Sequence, residues 1–315
     1  MGSFASGART VAADIYSHSE GQDTQATGQI SHAEGVNTIS SGVVAHAEGE
    51  ETTASGYGSH AEGYSTKTTQ PYSHSEGYST TANGTASHAE GRLNTTNSED
   101  SHVEGRNNQI LNVTPSSADK SSSGTGSSSA YTPENLLNVL GFSSHAEGVN
   151  NVIYGFASHV EGNGNTVSGH YSHAEGVSNN VSGKHSHAEG YGNTVNYGIT
   201  SHVEGSNNTV SDYNSHAEGE QTIARHRNSH AGGYNTQTGA NNQTVIGGYN
   251  IGNKNTFFEV GNGTSDTNRK NAFEVLQDGR AKVQSAPTED DDVVRLKELN
   301  DTKNSLMSYI NLNSG

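Results

Sequence analysis

The amino-acid sequence predicts an all-β protein, a β-solenoid built from 14-residue coils. The first observation is that Ser-His-Ala-Glu-Gly and its variants recur along the chain, and that successive histidines are mostly 14 positions apart. The second is that small or β-branched residues and then glycines follow each motif at intervals of two residues, the periodicity of a strand. The third is composition: only 29% of the residues are hydrophobic and the net charge is −17. This composition excludes a single conventional hydrophobic core. Stacked coils remain possible, because neighbouring coils satisfy each other's backbone hydrogen bonds.

The histidines define the period over most of the chain. The series is interrupted once, after His102, and resumes at His145. The step from His187 to His202 is 15 residues, so one coil carries an extra residue. The series consists of His18, His32, His46, His60, His74, His88, His102, His145, His159, His173, His187, His202, His216 and His230.

The second half of each period predicts a second short strand. Six residues after the histidine stands Thr or Asn, as in Thr66 and Asn165, and two residues later Ala or a β-branched residue, as in Val167. Glycines such as Gly56 and Gly169 then mark the bends. Each coil therefore has two strands and two turns. We expect its narrow interior to admit only Ala, Ser, Thr and Val, and the His and Glu side chains to point outward.

A glutamate follows most of these histidines two residues later, on the same face of the strand. Because identical carboxylates stacked along a solenoid repel each other, each one needs a donor, and histidine is available. We interpret the pairs as a hydrogen-bonded seam, in which glutamates raise the histidine pKa. The glutamates are Glu20, Glu34, Glu48, Glu62, Glu76, Glu90, Glu104, Glu147, Glu161, Glu175, Glu189, Glu204 and Glu218.

Two other chemistries are weighed against the seam. Catalysis needs one special constellation, whereas this pair is repeated in almost every coil, so no catalytic residue and no enzyme are predicted. No cofactor and no metal site are predicted either. If rings of histidines did bind metal, the candidates would be His60, His74, His88, His173 and His187.

The repeat resembles the head repeat of YadA-type trimeric autotransporter adhesins, a left-handed β-roll with a Ser-Val-Ala-Ile-Gly core. The resemblance covers roughly residues 17–250, with His and Glu in the places of Val and Ile. One coil, Thr244-Val245-Ile246-Gly247-Gly248, returns toward the apolar form. The resemblance implies a homotrimer in which these two positions face neighbouring chains.

The C-terminal part is similar to segments of phage tail fibres of Gram-positive bacteria. The similarity lies in short β segments at 257–260 and 271–275 and in a stem phrase from Pro287 to Leu299. A 3–4 apolar spacing indicates a short coiled coil formed by Leu296, Leu299, Leu306 and Ile310. The predicted organisation is a lead-in (1–16), a first β-roll array (17–111), a Ser/Gly-rich insertion with a short helix (112–141), a second array (142–250), a β cap or neck (251–286) and a coiled-coil stem (287–315).

These resemblances imply a non-enzymatic structural and receptor-binding segment of a trimeric phage tail fibre, located in the virion. Its partners would be two further copies of itself and a host cell-surface receptor, a glycan or a surface protein. The alternatives are the head of a cell-surface trimeric adhesin, which would be extracellular, and a polysaccharide-degrading tail spike. The acidic charge speaks against nucleic acid as a partner. No apolar run is long enough for membrane insertion.

Overall fold

A computed structural model describes residues 2–111, 143–286, 288 and 295–312. The described chain is all-β, a β-solenoid of about 16 stacked coils with one short C-terminal helix. The predicted fold class is confirmed at this level. The chain divides into two compact units, Met1–Thr200 and Ser201–Gly315. The predicted insertion at 112–141 lies outside the described residues.

The first unit consists of short strands that alternate along the chain between two parallel sheets. Its strands are β1 (Phe4–Ala8), β2 (Val11–Ala12), β3 (His18–Gln22), β4 (Gln25–Ala26), β5 (His32–Val36), β6 (Ile39–Ser40), β7 (His46–Glu50), β8 (Thr53–Ala54), β9 (His60–Tyr64), β10 (Lys67–Thr68), β11 (His74–Tyr78), β12 (Thr81–Ala82), β13 (His88–Ala89), β14 (Thr95–Thr96), β15 (His102–Val103), β16 (Gln109–Ile110), β17 (His145–Ala146), β18 (Val152–Ile153), β19 (His159–Val160), β20 (Thr166–Val167), β21 (His173–Val177), β22 (Asn180–Val181), β23 (His187–Tyr191) and β24 (Thr194–Val195).

The register of both sheets pairs equivalent residues of successive repeats. In the odd-numbered sheet His60 pairs with His74 and Glu62 with Glu76, and in the even-numbered sheet Lys67 pairs with Thr81. The strands on either side of the insertion pair directly with each other, β15 with β17 and β16 with β18. The stacking of coils therefore continues past the insertion without a missing step.

The interior of the first unit is formed by one residue from almost every strand, together with polar residues between the strands such as Ser59 and Thr66. The residue after each histidine is fully buried, as at Ala33, Ser75 and Val160, which confirms the predicted inward face. The prediction that only Ala, Ser, Thr and Val fit inside was wrong, because Ile110 and Ile153 are also fully buried. These two residues pair with each other across the insertion, so the larger side chains are stacked in neighbouring coils.

Left-handed backbone at the bends is mostly adopted by residues other than glycine. At the bends of the coil that contains β9, the left-handed φ values belong to Gly58 at 59°, Ser65 at 54° and Tyr72 at 59°. Gly42, one of the glycines that mark the bends, is not left-handed. A Cβ there would lie 2.0 Å from the carbonyl oxygen of Gly56 in the next coil. The close approach of successive backbones, and not φ, explains this glycine.

The second unit begins with the same alternation of short strands between two sheets and then changes to antiparallel pairing. Strands β25, β27, β29, β30 and β31 pair in parallel, and β31, β32 and β33 pair antiparallel. The elements are β25 (His202–Val203), β26 (Thr209–Val210), β27 (His216–Glu220), β28 (Ile223–Ala224), β29 (His230–Tyr234), β30 (Thr244–Gly248), β31 (Thr256–Asn262), β32 (Asn271–Leu276), β33 (Ala281–Val283) and the helix α1 (Leu296–Leu312).

Helix α1 contains the four predicted stem residues and buries none of its side chains. Leu296 is 71% exposed, and Leu299, Leu306 and Ile310 are exposed as well. Isolated helices of this length are marginal in water, so this apolar side needs packing partners. Among the described residues, no helix has the length and apolarity that crossing a membrane requires.

Candidate functional site: the histidine–glutamate face

The strand geometry places each functional side chain by simple alternation. In β9 the small Ala61 is fully buried, while His60 and Glu62 on either side of it are about a third exposed. Gly63 follows with a φ of 106°. The same order occurs along the odd-numbered strands, so each unit carries one continuous row of histidines beside one row of glutamates. We call this surface the His/Glu face.

The histidine rings form stacked ladders. From His18 to His187 in the first unit, ring centroids of successive histidines lie 4.6–5.0 Å apart, and the ring planes differ by no more than 10°. In the second unit, His202, His216 and His230 stack at 4.9 Å. This spacing equals the separation of neighbouring strands in a sheet, because every ring is displaced by one coil.

The glutamates lie beside the imidazole Nε2 atoms of the same chain. Glu62 Oε2 is 3.7 Å from His60 Nε2 in its own coil. In the second unit, Glu218 Oε1 is 3.3 Å from His230 Nε2 of the following coil, where Gly232 stands in place of a glutamate. Yet the Nε2 atoms of histidines such as His60 are buried and have no hydrogen-bond partner among the described residues. The two rows are therefore adjacent within one chain, and the hydrogen-bonded seam between chains stays a prediction.

The glutamate row lines an open groove in the first unit. The groove has a volume of about 580 Å³, and glycines such as Gly77 form its floor. The hydrogen bond between the carboxyl groups of Glu62 and Glu76 raises the pKa of Glu62 to about 7 and lowers the pKa of Glu76. Neighbouring carboxyl groups thus share a proton, which relieves their repulsion. The groove is lined by Glu48, Glu62, Gly63, Glu76, Gly77, Glu90, Gly91, Glu104, Gly105, Glu147 and Gly148.

Within a single chain the histidine pKa is lowered, in the direction opposite to the rise expected for a seam between chains. Burial lowers the pKa of His60, and the neighbouring charge of His74 lowers it further, against the opposite influence of Glu48 and Glu76. Desolvation wins because the ring is packed between two other rings, and stacked imidazoles disfavour a second positive charge. The pKa is lowered by burial in the same way for His32, His46, His88, His173 and His216.

These shifts determine how the stability of a single chain depends on pH. A lowered folded-state pKa gives histidine stability that is complete above about pH 6.5 and is lost as the pH falls below it. The raised pKa of Glu62 has the opposite effect on folding stability. The contribution of Glu62 is complete below pH 4.5 and is lost as the pH rises through about 7. We expect histidine to dominate the acid side, because its nitrogens are buried whereas the carboxyl groups line an open groove.

In chelator-containing buffer, the melting temperature should fall as the pH decreases from 6.5 to 5. Replacing His32, His46 and His60 together by Gln should flatten this acid limb, because fewer imidazoles are forced to become charged. Thermal melting followed by circular dichroism at half-unit pH intervals measures the effect. A melting temperature that climbs steadily from pH 6.5 to 5 would contradict it.

Buried asparagines form a ladder inside the first unit, at the position six residues after the histidines. Asn165 is fully buried, and its side-chain amide donates to the carbonyl oxygens of Glu161 at 2.6 Å and Gly176 at 2.9 Å. Its side-chain oxygen accepts from the backbone N–H of Asn179 at 2.8 Å. Each asparagine thereby ties three backbone groups together, and one of them belongs to the glutamate position of the His/Glu face.

A buried carboxylate in the second unit was missed by sequence reasoning. Glu259 in β31 is fully buried. Its Oε1 accepts from the Asn253 N–H at 2.6 Å, Thr256 Oγ1 at 2.8 Å and Gln243 Nε2 at 3.2 Å. Its Oε2 accepts from Asn250 Nδ2 at 2.6 Å and from the backbone N–H of Gly252 at 2.9 Å. Five donors around one carboxylate indicate a structural cap at the end of the coils.

No protein-family model and no curated protein matches this chain. The function must therefore be inferred from its own residues and geometry.

Proposed function

We propose that the chain is a non-enzymatic structural and receptor-binding segment of a homotrimeric phage tail fibre, built from 14-residue coils of a left-handed YadA-type β-roll. The proposal rests on the repetition of one surface along stacked coils, combined with a helix whose apolar residues are exposed. A repeated, extended surface is typical of spacer and adhesive proteins, because no single coil differs enough to form a unique reaction centre. In the trimer, the His/Glu faces and the four stem residues of α1 would meet other copies of the chain.

Exposed aromatic side chains support a role in receptor binding. The rings of Tyr64 and Tyr78 stack at 5.0 Å on the outer surface of the first unit. The Arg92 guanidinium lies over the Tyr78 ring, 5.3 Å from its centroid. Rows of flat aromatic surface beside hydrogen-bond donors suit a cell-surface glycan or a surface protein.

Attachment to cells tests the receptor-binding part of the proposal, with the insertion as its first target. A fluorescently labelled chain should bind cells of some strains in a panel of Gram-positive bacteria, and unlabelled chain should compete. Deleting residues 116–129 should leave the melting temperature within about 2 °C, because the flanking strands pair directly with each other. The same deletion should reduce attachment if the insertion contacts the receptor.

A matched variant separates the two candidate contact surfaces. Tyr64→Ala combined with Tyr78→Ala removes the aromatic surface and leaves the insertion intact. Attachment lost in one variant and kept in the other assigns the receptor contact. If the unaltered chain binds no strain in the panel, the receptor-binding function is wrong.

A further inference from the structure

Between adjacent coils, two imidazoles and one carboxylate lie close enough to share an ion. Glu90 Oε2 is 3.8 Å from His88 Nε2, and Glu90 Oε1 is 3.8 Å from His102 Nε2. In each such group the three ligand atoms lie within 4.8 Å of one another. Seven such groups occur among the residues that the structure describes. Five of them are His46–Glu48–His60, His74–Glu76–His88, His88–Glu90–His102, His145–Glu147–His159 and His173–Glu175–His187.

The imidazole nitrogens on either side of Glu90 need a partner. The Nε2 atoms of His88 and His102 are buried and have no hydrogen-bond partner among the described residues, although the rings themselves are about a third exposed. Buried polar atoms are rarely left unsatisfied, because the loss of water is then not compensated. A cation between the coils would satisfy both nitrogens and also reduce the repulsion between successive carboxylates.

The ligand set and its dimensions select the kind of cation. Two imidazole nitrogens with one carboxylate oxygen suit Zn²⁺ and similar transition metals, whereas Mg²⁺ and Ca²⁺ prefer oxygen ligands alone. Tetrahedral zinc with bonds of about 2.1 Å places its ligand atoms roughly 3.4 Å apart. The ligand atoms of each group lie within 4.8 Å of one another. They must therefore approach each other by up to about 1.4 Å, and the two stacked rings must tilt toward each other.

We propose that the His/Glu face of a single chain binds zinc-type divalent cations, each held by two histidines and one glutamate of adjacent coils. Water completes the coordination. This departs from the expectation of no metal, and it does not require the homotrimer. Its failure would therefore leave the proposed fibre function standing.

Shared histidines limit how many ions bind. His88 belongs to the group with Glu76 and also to the group with Glu90. A neutral imidazole offers one lone pair, so one Nε2 atom binds one ion. These two adjacent groups therefore compete, and only one of them is filled at a time. His88→Ala removes both groups, whereas Glu76→Gln leaves the Glu90 group intact.

Metal retention by the full chain, produced without a polyhistidine tag, tests the proposal. The chelator-stripped protein is incubated with Zn²⁺ or Co²⁺, passed through a desalting column and analysed for metal by mass spectrometry. We expect more than one Zn²⁺ per chain, and visible Co²⁺ absorption with the intensity of a four-coordinate site. His88→Ala should retain one ion fewer than the unaltered chain, and Glu76→Gln should retain the same number.

The control is His185→Ala, since His185 is an exposed histidine that lies outside the ladder and stacks on Tyr171. It should retain every ion. Equal losses in His185→Ala and His88→Ala would show adventitious surface binding and overturn the proposal. Retention of less than one ion by the unaltered chain, with no visible Co²⁺ bands, would overturn the proposal as well. This outcome does not depend on whether any variant folds.

Discussion

Replacing Glu259 by Ala should destabilise the second unit by on the order of 3–5 kcal/mol, one of the two largest effects that we expect. The carboxylate accepts five hydrogen bonds at a fully buried position, two of them from the backbone N–H groups of Gly252 and Asn253. Each buried donor left without a partner costs about 1–3 kcal/mol. The backbone donors cannot turn toward other acceptors, so the loss cannot be recovered locally.

Urea unfolding and hydrogen exchange of the 243–276 region provide the measurement for Glu259. The control is Glu220→Ala, which removes an exposed glutamate of β27 and should change the unfolding midpoint little. Glu259→Gln should fall between the two, because one oxygen remains while the new amide meets donors. Equal midpoints for Glu259→Ala and Glu220→Ala would show that the carboxylate does not stabilise this end of the coils.

Replacing Gly63 by Ala should break the contact between two coils of the first unit, at a cost of at least about 3 kcal/mol. An added Cβ would lie 2.3 Å from the carbonyl oxygen of Gly77 and 3.0 Å from its nitrogen. Both atoms belong to the backbone of the next strand, so neither can move without disturbing the pairing of β9 with β11. The φ of 106° adds strain for any residue other than glycine.

The matched control for Gly63 is Gly58→Ala in the preceding bend. Gly58 has a φ of 59°, which other residues adopt, and the nearest atom to its added Cβ is a Tyr72 side-chain carbon at 3.4 Å. We expect a cost of only about 1 kcal/mol there. Urea midpoints of the two variants decide the point, and a Gly63→Ala midpoint no lower than that of Gly58→Ala would refute the account of coil stacking.

The fold could be predicted because the sequence repeats the same information many times. The arrangement of His60, its small neighbour and its glutamate recurs in almost every coil. Alternation and spacing therefore define the strands and their register. The repeated Thr or Asn position, to which Asn165 belongs, was recognised for the same reason. By contrast, the lowered histidine pKa depends on how tightly the rings stack, and spacing alone does not give the depth of burial.

Glu259 could not be predicted because it occurs once and because its strand is irregular. In β31 the buried positions include Thr256 and Glu259, which are three residues apart. The register against β32 shifts between Thr256 and Phe258. A bulge of this kind exchanges the two faces of a strand, so strict alternation from Thr256 assigns Glu259 to the wrong side.

The mass of the protein in solution tests the proposed homotrimer most directly. Light scattering coupled to gel filtration should give three times the chain mass of 32.9 kDa. Leu299→Glu combined with Leu306→Glu should weaken the trimer by placing charges among the exposed apolar residues of α1, whereas Asn304→Glu on another side of the helix should not. A single species with the mass of one chain, unchanged at high protein concentration, would contradict the proposal.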